Sequence, residues 1–374
     1  MKNKTLLIIG IILVAVVILI VVFGFQKQKE EAIKIGFIAP LTGPFADWGE
    51  SIKNGLDLAL EDTNHKFEVE YQDSACDTKE TVSIARKFFD IDNIRIVIGP
   101  GCVTGLRAIA PIADEKNALL FSTGLLDDNI FEEYNSVINL ATQISTEAKY
   151  MAKYMKSKGI KKVAIVYGTD YFGQEYGSRL PELLNEEEIE VTSINSSDLN
   201  TEDFRTIILK VMKGNPDVVF IYQGEFQIGL FVKQLRELGY SIPVYSYYGV
   251  EAQSVIAAGG EALEDLVYTY PYNSVEESEE KETFENRYIE RYNKIPTATS
   301  HFVYDGLLLI DKALDNCDAK DTNCIKNFFT NLGEYNGISG YMLFGEDGSL
   351  TREFGIKKIE NGKFIWVTKE IPLD

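Results

Sequence analysis

The chain has 374 residues, 45% of them apolar, so it is long enough to bury two sizeable cores. It carries 57 acidic residues against 37 Lys and Arg, which gives a net charge of −20. This acidic balance argues against nucleic acid as a partner, because phosphates need compensating Lys and Arg.

An apolar segment precedes the body of the chain. Residues 5–25 run without a charge, and a helix of that length covers roughly 30 Å, one bilayer core. Neither a small-x-small cleavage site nor a following cysteine for lipid attachment is present, so we predict an uncleaved transmembrane anchor rather than a cleaved signal peptide. Lys and Arg near the two ends are balanced, so charge alone does not orient the segment.

Four cysteines indicate the compartment of the body. Cys317 and Cys324 have a spacing that suits a short disulfide loop and matches no common zinc pattern. Paired cysteines persist in oxidising compartments, which places the body outside the cytoplasm. We therefore expect a single-pass protein of the cell membrane, with residues 1–4 in the cytosol, 5–25 in the bilayer, 26–32 as a spacer and the remainder extracytoplasmic.

Two series of short, Val/Ile-rich runs follow, often apolar on both faces as in buried parallel strands. The first series covers 33–39, 66–72, 94–99, 118–122 and a weaker run near 137; the second covers 161–167, 189–194, 217–222, 242–247 and 266–270.

Helical patterns separate these runs, for example over 48–63 and 146–158. Alternating strands and helices predict an α/β fold with two doubly wound, Rossmann-like lobes and a boundary near Thr142. Beyond Pro271 the pattern changes to two long helices, near 277–293 and 299–316. The tail then predicts hairpin strands around "EDG" and "ENG".

The glycine-rich stretch "IVIGPGCVTGLRAIAP" (96–111) invites comparison with a dinucleotide-binding loop. Its spacing is Gly-x-Gly-x-x-x-Gly and it follows the third strand, whereas the fingerprint needs Gly-x-Gly-x-x-Gly after the first. A nucleotide site is therefore disfavoured. Backbone N–H groups at such a helix start still favour a carboxylate or another acceptor.

Several segments together resemble one known family. They are "IKIGFIAPLTGPFADWGESIKNGLDLALEDTN", "YQDSACDTKETVSIARKFF", "VIGPGCVTG", "VAIVYGTDYFGQEYG" and "GYMLFGEDGSL". Their order and spacing are similar to those of type I periplasmic binding proteins of the leucine/isoleucine/valine-binding class. The resemblance spans nearly everything from Ile33 onward. It implies two lobes, 33–143 with 273–346 and 144–272 with 347–374, joined by a multi-strand hinge.

The resemblance also implies a disulfide and a set of ligand contacts. Cys76 is expected to pair with Cys102 beside the ligand cleft, which leaves Cys317–Cys324 as the second bridge. By position, the ligand-binding candidates are Trp48, Gly101, Cys102, Val103, Thr104, Ser122, Thr123, Gly124 and Leu125 in the first lobe, and Tyr171, Phe172, Glu225, Phe226 and Tyr248 in the second. Each has a simpler alternative: Trp48 packs on its own helix, Thr104 only starts a helix, and the aromatic clusters "YSYY" and "YTYPY" form core and strand surface.

Two departures from the family pattern bear on the ligand. Leu126 stands where a hydroxyl is expected, and Tyr248 stands where an acidic residue holds the ligand ammonium. A buried ammonium without a counter-charge costs several kcal/mol. Either Glu225 supplies that charge, or the ligand lacks an amine and is an aromatic or apolar carboxylate, an amide or an uncharged solute.

The resemblance implies a solute-binding protein that captures a small ligand and delivers it to an ABC importer permease. The alternative is the sensory ectodomain of a receptor that signals through another membrane protein. Catalysis is disfavoured, because His65 and His301 stand in no metal spacing and no Gly-x-Ser-x-Gly motif occurs. We expect no cofactor and no metal.

Overall fold

The structure, a computed structural model, describes residues 32–271, 278–369 and 371. The predicted membrane anchor at 5–25 and most of the predicted spacer lie outside the described residues. Among the helices of the described part, none is both long and apolar enough to span a bilayer.

All five runs of the first predicted series form strands of one parallel sheet. The strands are β1 (Ile33–Ala39), β2 (Phe67–Asp73), β3 (Ile96–Ile98), β4 (Leu119–Ser122) and β5 (Val137–Asn139). Their order in the sheet is β2-β1-β3-β4-β5. Apolar clusters cover both faces of this sheet, which explains why its central strands lack the alternation of a half-exposed strand.

The second predicted series forms the parallel part of a mixed sheet. Its strands are β6 (Lys162–Gly168), β7 (Glu190–Ser197), β8 (Val218–Tyr222), β9 (Val244–Ser246) and β10 (Val267–Pro271). The order β7-β6-β8-β9-β10 repeats the 2-1-3-4-5 order of the first sheet.

The tail forms the predicted hairpins, in two different sheets. Its strands are β11 (Glu334–Gly337), β12 (Gly340–Phe344), β13 (Leu350–Arg352), β14 (Phe354–Glu360) and β15 (Lys363–Thr368). β14 and β15 extend the second sheet beside β10 and pair antiparallel, with Asn361 and Gly362 at positive φ in the turn. β11, β12 and β13 form a small antiparallel sheet of their own.

Within the described residues, twelve α-helices connect or flank these strands. They are α1 (Ala46–Ala59), α2 (Thr78–Arg86), α3 (Val103–Glu115), α4 (Ile130–Glu133), α5 (Ile144–Ser157), α6 (Tyr171–Glu186), α7 (Arg205–Met212), α8 (Glu225–Glu237), α9 (Gln253–Gly259), α10 (Glu279–Tyr292), α11 (Ala298–Leu314) and α12 (Thr322–Thr330). α1 ends at Ala59 rather than at residue 63, because the N–H of Asp62 bonds back to the Ala59 carbonyl in a tight turn.

Arg352 joins two of the places where the chain passes from one sheet to the other. Its buried guanidinium donates to the carbonyl oxygens of Leu140 and Ala141, each at 2.7 Å, and lies 4.1 Å from the centre of the Phe302 ring. Residues 140–143 lead from β5 into α5, and Arg352 ends β13 just before β14. The crossing segments are therefore held together by a buried cation on carbonyl groups.

Candidate functional site

A small cavity lies between the first sheet and the parallel strands of the second, at the carboxyl ends of both sets of strands. This inner cavity has a volume of about 60 Å³. Most of its wall is aromatic, formed by Phe45, Trp48, Phe172, Tyr222, Tyr247 and Tyr248. Gly124, Leu125, Glu225 and Gly249 complete the wall.

The position of the inner cavity follows from the strand order. In the first sheet the chain leads from β1 to its neighbour on one side, β2, and from β3 to its neighbour on the other side, β4. Trp48 follows β1, and Gly101 follows β3. In the second sheet the chain leads in the same way from β6 to β7 on one side and from β8 to β9 on the other. Phe172 follows β6, and Glu225 follows β8. Open α/β sheets bind ligands at such points, outside the carboxyl ends of the strands. Here two of them face the same cavity.

Trp48 packs against the glycine-rich loop. A Cβ built on Gly101 would lie 2.1 Å from Cη2 of Trp48, and one built on Gly124 would lie 2.1 Å from the Gly101 carbonyl oxygen. Both positions therefore need glycine for the backbone to approach this closely. Oγ1 of Thr123 lies 3.0 Å from the same Gly101 position and is buried without a hydrogen-bond partner.

Glu225 brings a carboxyl group to the aromatic wall. It is the first residue of α8, is 8% exposed, and its Oε2 is buried without a hydrogen-bond partner. Burial raises the pKa of Glu225 to about 8, and the nearby Asp47 carboxylate acts in the same direction. An unpaired buried carboxylate is costly, so this group is ready to accept a cation or a proton.

A stack of tyrosines supports the cavity from the second sheet. The rings of Tyr176 and Tyr222 stack with centres 4.1 Å apart, and those of Tyr222 and Tyr247 also lie 4.1 Å apart. Tyr247 in turn meets Tyr248 edge to face at 5.7 Å. Two members of this stack, Tyr222 and Tyr247, line the cavity and are absent from the site residues predicted from the sequence.

Buried Glu147 anchors that stack. It accepts hydrogen bonds from the hydroxyl of Tyr176, from Oγ1 of Thr269 at 2.5 Å and from the backbone N–H of Tyr248. Burial nevertheless raises the pKa of Glu147 to about 7. No motif marks this residue in the sequence, because it lies within an ordinary amphipathic helix.

A larger outer cavity of about 310 Å³ continues from the inner one, with Trp48, Glu225, Tyr248 and Gly249 in the walls of both. Its charged lining consists of one lysine and four carboxyl groups: Lys294, Asp47, Glu50, Glu225 and Glu251.

Most of those charges already have partners. Lys294 Nζ lies 2.7 Å from Glu50, and Lys357 Nζ lies 3.0 Å from Glu251. Asp47 accepts the N–H of Ser254 at 3.2 Å. The hydroxyls of Ser51 and Thr297 bond to each other at 2.5 Å in the same wall.

Several sequence-predicted site residues lie away from the two cavity walls. Thr104 is exposed on α3, Phe226 is 45% exposed, and Val103 is buried in the apolar cluster between α2 and α3. The hydroxyl of Ser122 donates to the Pro100 carbonyl at 3.3 Å. Contact of these side chains with a ligand stays a prediction.

Tyr171 and Leu126 also have partners outside the cavities. The hydroxyl of Tyr171 donates to Oδ2 of Asp127 at 2.7 Å, and Arg107 binds the other oxygen of that carboxylate. Leu126, at the position where a hydroxyl was expected, is fully buried in the core. The neighbouring Leu125 is the residue of that turn that faces the inner cavity.

Both expected disulfides are present. Cys76 pairs with Cys102, and Cys317 pairs with Cys324. The first links the loop after β2 to the residue just before α3, next to Gly101. The second closes a short loop between α11 and α12.

The two histidines have local partners. Nδ1 of His65 lies 2.9 Å from Asp311, and Nδ1 of His301 lies 2.9 Å from the Thr297 carbonyl oxygen. Among the described residues, no three His, Cys, Asp or Glu side chains are grouped as a metal site requires.

Comparison with known proteins gives a consistent family. Residues 32–363 match the family model described as periplasmic binding protein. The leucine-specific-binding protein of Salmonella typhimurium is 26% identical over 284 residues, 72% of this chain and 74% of that protein.

Two solved structures share the fold. The leucine binding protein LivK of Thermotoga maritima superimposes with a TM-score of 0.84 at 22% identity, covering 90% of this chain and 98% of that one. A solute binding protein of R. palustris, in complex with 4-hydroxybenzoate, gives 0.82 at 21% identity, covering 91% and 98%.

Proposed function

Because the chain belongs to the periplasmic binding protein family, we propose that it captures a small ligand bearing an ammonium group, such as an amino acid, and delivers it to an ABC importer. The ligand would lie in the inner cavity, with Trp48, Phe172 and Tyr248 around it and Glu225 as the counter-charge.

The observation that carries this proposal is the unpartnered Oε2 of Glu225. A carboxyl group buried in an aromatic wall without a donor favours a ligand that supplies one. Aromatic faces attract cations as well, so the wall and the carboxyl group favour the same ligand. An aromatic carboxylate such as 4-hydroxybenzoate would find no counter-charge there, because no Lys, Arg or His lines the inner cavity among the described residues.

Capture would occur by closure of the two predicted lobes, 33–143 with 273–346 and 144–272 with 347–374. Two hydrogen bonds across the cleft support this division: Tyr171 to Asp127, and the N–H of Ser254 to Asp47. A ligand that contacts both sides would favour the closed form through its better binding to that form.

Tethering to the membrane is the second part of the proposal. The uncharged 5–25 segment supports a single-pass anchor with the body extracytoplasmic, beside the importer permease. Full chain should remain in the membrane pellet after a high-salt wash, and a chain lacking 1–25 should be released. Release of the full chain by salt alone would contradict the anchor.

The ligand proposal is tested by calorimetric titration of the purified full chain with branched aliphatic amino acids and amines. Glu225→Gln removes the charge while keeping the shape of the side chain, and should weaken binding of an amine at least tenfold. Glu237→Gln is the matched control, because Glu237 lies exposed at the other end of α8. Equal affinity of an amine for Glu225→Gln and wild type would contradict the assignment.

A further inference from the structure

We propose that the preferred ligand is a net cation, an amine whose carboxyl group is absent or masked as an amide, rather than a zwitterionic amino acid. This inference rests on the proposed function, because it assumes that an ammonium group binds at Glu225. It goes further by assigning the charge of the rest of the ligand.

The inner cavity offers a counter-charge for a cation and, among the described residues, none for an anion. Six of its wall residues are aromatic, and Glu225 supplies the one carboxyl group of the described wall. Aromatic rings attract an ammonium group through their negative faces and give a carboxylate no such compensation. A ligand carboxylate in the inner cavity would therefore find only neutral donors, such as the tyrosine hydroxyls, and no cation.

The outer cavity, into which the remainder of the ligand would extend, is acidic. Besides Glu225, its lining contains Asp47, Glu50 and Glu251. The one lysine there, Lys294, is already 2.7 Å from Glu50. A ligand carboxylate entering this space would meet the Asp47 carboxylate. To gain a cation it would have to displace Lys294 from Glu50 or Lys357 from Glu251.

Neutral polar groups are abundant in the same outer wall. The hydroxyl of Thr297 lies 2.5 Å from that of Ser51 and 2.9 Å from that of Thr299. Asn54 and Gln253 add side-chain amides. Hydroxyls and amides pair with an amide group as donors and acceptors without needing a charge. These walls therefore fit a masked carboxyl group, as in an amino-acid amide or the first peptide bond of a peptide.

The experiment compares four compounds that share one branched alkyl group: L-leucine, L-leucinamide, 3-methylbutylamine and 4-methylpentanoate. Each is titrated into the purified full chain at pH 7 by calorimetry. We expect leucinamide and 3-methylbutylamine to bind at least tenfold more tightly than leucine, and 4-methylpentanoate to show no binding.

The outcomes separate this inference from the proposed function. If leucine binds most tightly, the net-cation inference is wrong and the ammonium site at Glu225 stands. If only 4-methylpentanoate binds, or none of the four compounds binds, both are wrong.

A single variant tests which part of the site causes the preference for leucinamide over leucine. In Asp47→Asn the preference for leucinamide over leucine should fall severalfold, because the variant removes a carboxylate of the outer cavity that repels the ligand carboxylate, whereas Glu237→Gln should keep the wild-type ratio. An unchanged ratio in Asp47→Asn would overturn the inference, because the outer cavity would then not select for charge.

Discussion

Glu225 couples ligand binding to a proton. Its pKa in the free protein, raised to about 8 by burial, leaves the carboxyl group mostly protonated at pH 7. An ammonium group beside it favours the charged form. We expect 3-methylbutylamine, itself fully protonated at pH 7, to displace up to about one proton on binding. Below pH 8 its affinity should therefore rise by up to about tenfold for each pH unit.

Calorimetry in two buffers with different ionisation enthalpies measures that proton directly. The apparent binding enthalpy of the wild type should differ between phosphate and Tris at pH 7. The enthalpy for Glu225→Gln should be the same in both, since glutamine does not titrate. A wild-type enthalpy independent of buffer would show that Glu225 keeps its proton or loses it before binding.

Glu147 makes the stability of the fold depend on pH. Burial raises its pKa to about 7 from an ordinary value of 4.5, so the native state holds this proton more tightly than the unfolded chain does. Its contribution is complete below pH 4.5, is lost as the pH rises towards 7 and is constant above that. Between pH 5 and pH 8 we expect the wild type to lose about 2.5 kcal/mol more unfolding free energy than Glu147→Gln.

Urea unfolding at the two pH values gives that difference. Comparison with Glu147→Gln is needed because Glu225 also has a raised pKa and contributes a slope of the same sign in both proteins. Parallel pH profiles for wild type and variant would mean that Glu147 stays in one protonation state throughout.

The elements around the cleft depend on the Cys76–Cys102 disulfide. Its two cysteines are 26 residues apart, and loss of the bond should cost roughly 3.5 kcal/mol of stability on the chain-entropy model. Because Cys102 adjoins Gly101, which packs on Trp48, the double Ser variant should also bind 3-methylbutylamine severalfold more weakly. Thermal unfolding and titration measure the two effects.

The Cys317–Cys324 disulfide is the matched control for that prediction. It closes a loop of sequence separation 7 between α11 and α12, away from the residues that line either cavity. Its double Ser variant should lose roughly 2.5 kcal/mol and keep the wild-type affinity. If both variants bound equally well, the first disulfide would support the fold without shaping the cleft.

Strands were easier to predict from the sequence than site contacts. β3 and β8 are buried along their whole length, and this leaves a continuous apolar run in the sequence. The positions of Trp48 and Glu225 followed from the family resemblance. Tyr222 ends a run that predicts a buried strand, and its role in the cavity wall depends on stacking against Tyr176 and Tyr247, which lie in other elements. Contacts of this kind leave no periodic pattern in the sequence.

The charge of the whole molecule agrees with the chemistry of its cavities. A net charge of −20 produces a negative potential that raises the local concentration of cations and disfavours anions. The lining of the outer cavity carries the same sign, with four carboxyl groups to one lysine. Long-range attraction and the local site would thus select the same class of ligand, and the long-range part would weaken as salt is added.

Closure of the whole molecule depends on contacts across the cleft, and Tyr171 provides one that can be removed cleanly. Its hydroxyl donates to Asp127 from the opposite side, while Arg107 still binds Asp127 when that hydroxyl is absent. Tyr171→Phe should therefore destabilise the closed form by about 1 kcal/mol. The affinity for 3-methylbutylamine should fall about fivefold, and the ligand-free radius of gyration in X-ray scattering should increase.

Tyr304→Phe is the matched control. The hydroxyl of Tyr304 also donates to a carboxylate that is paired with an arginine, Asp62, at 2.7 Å, but both residues pack beside the first sheet. If the two variants lost affinity equally, the Tyr171 contact would stabilise the fold in general and would not control closure.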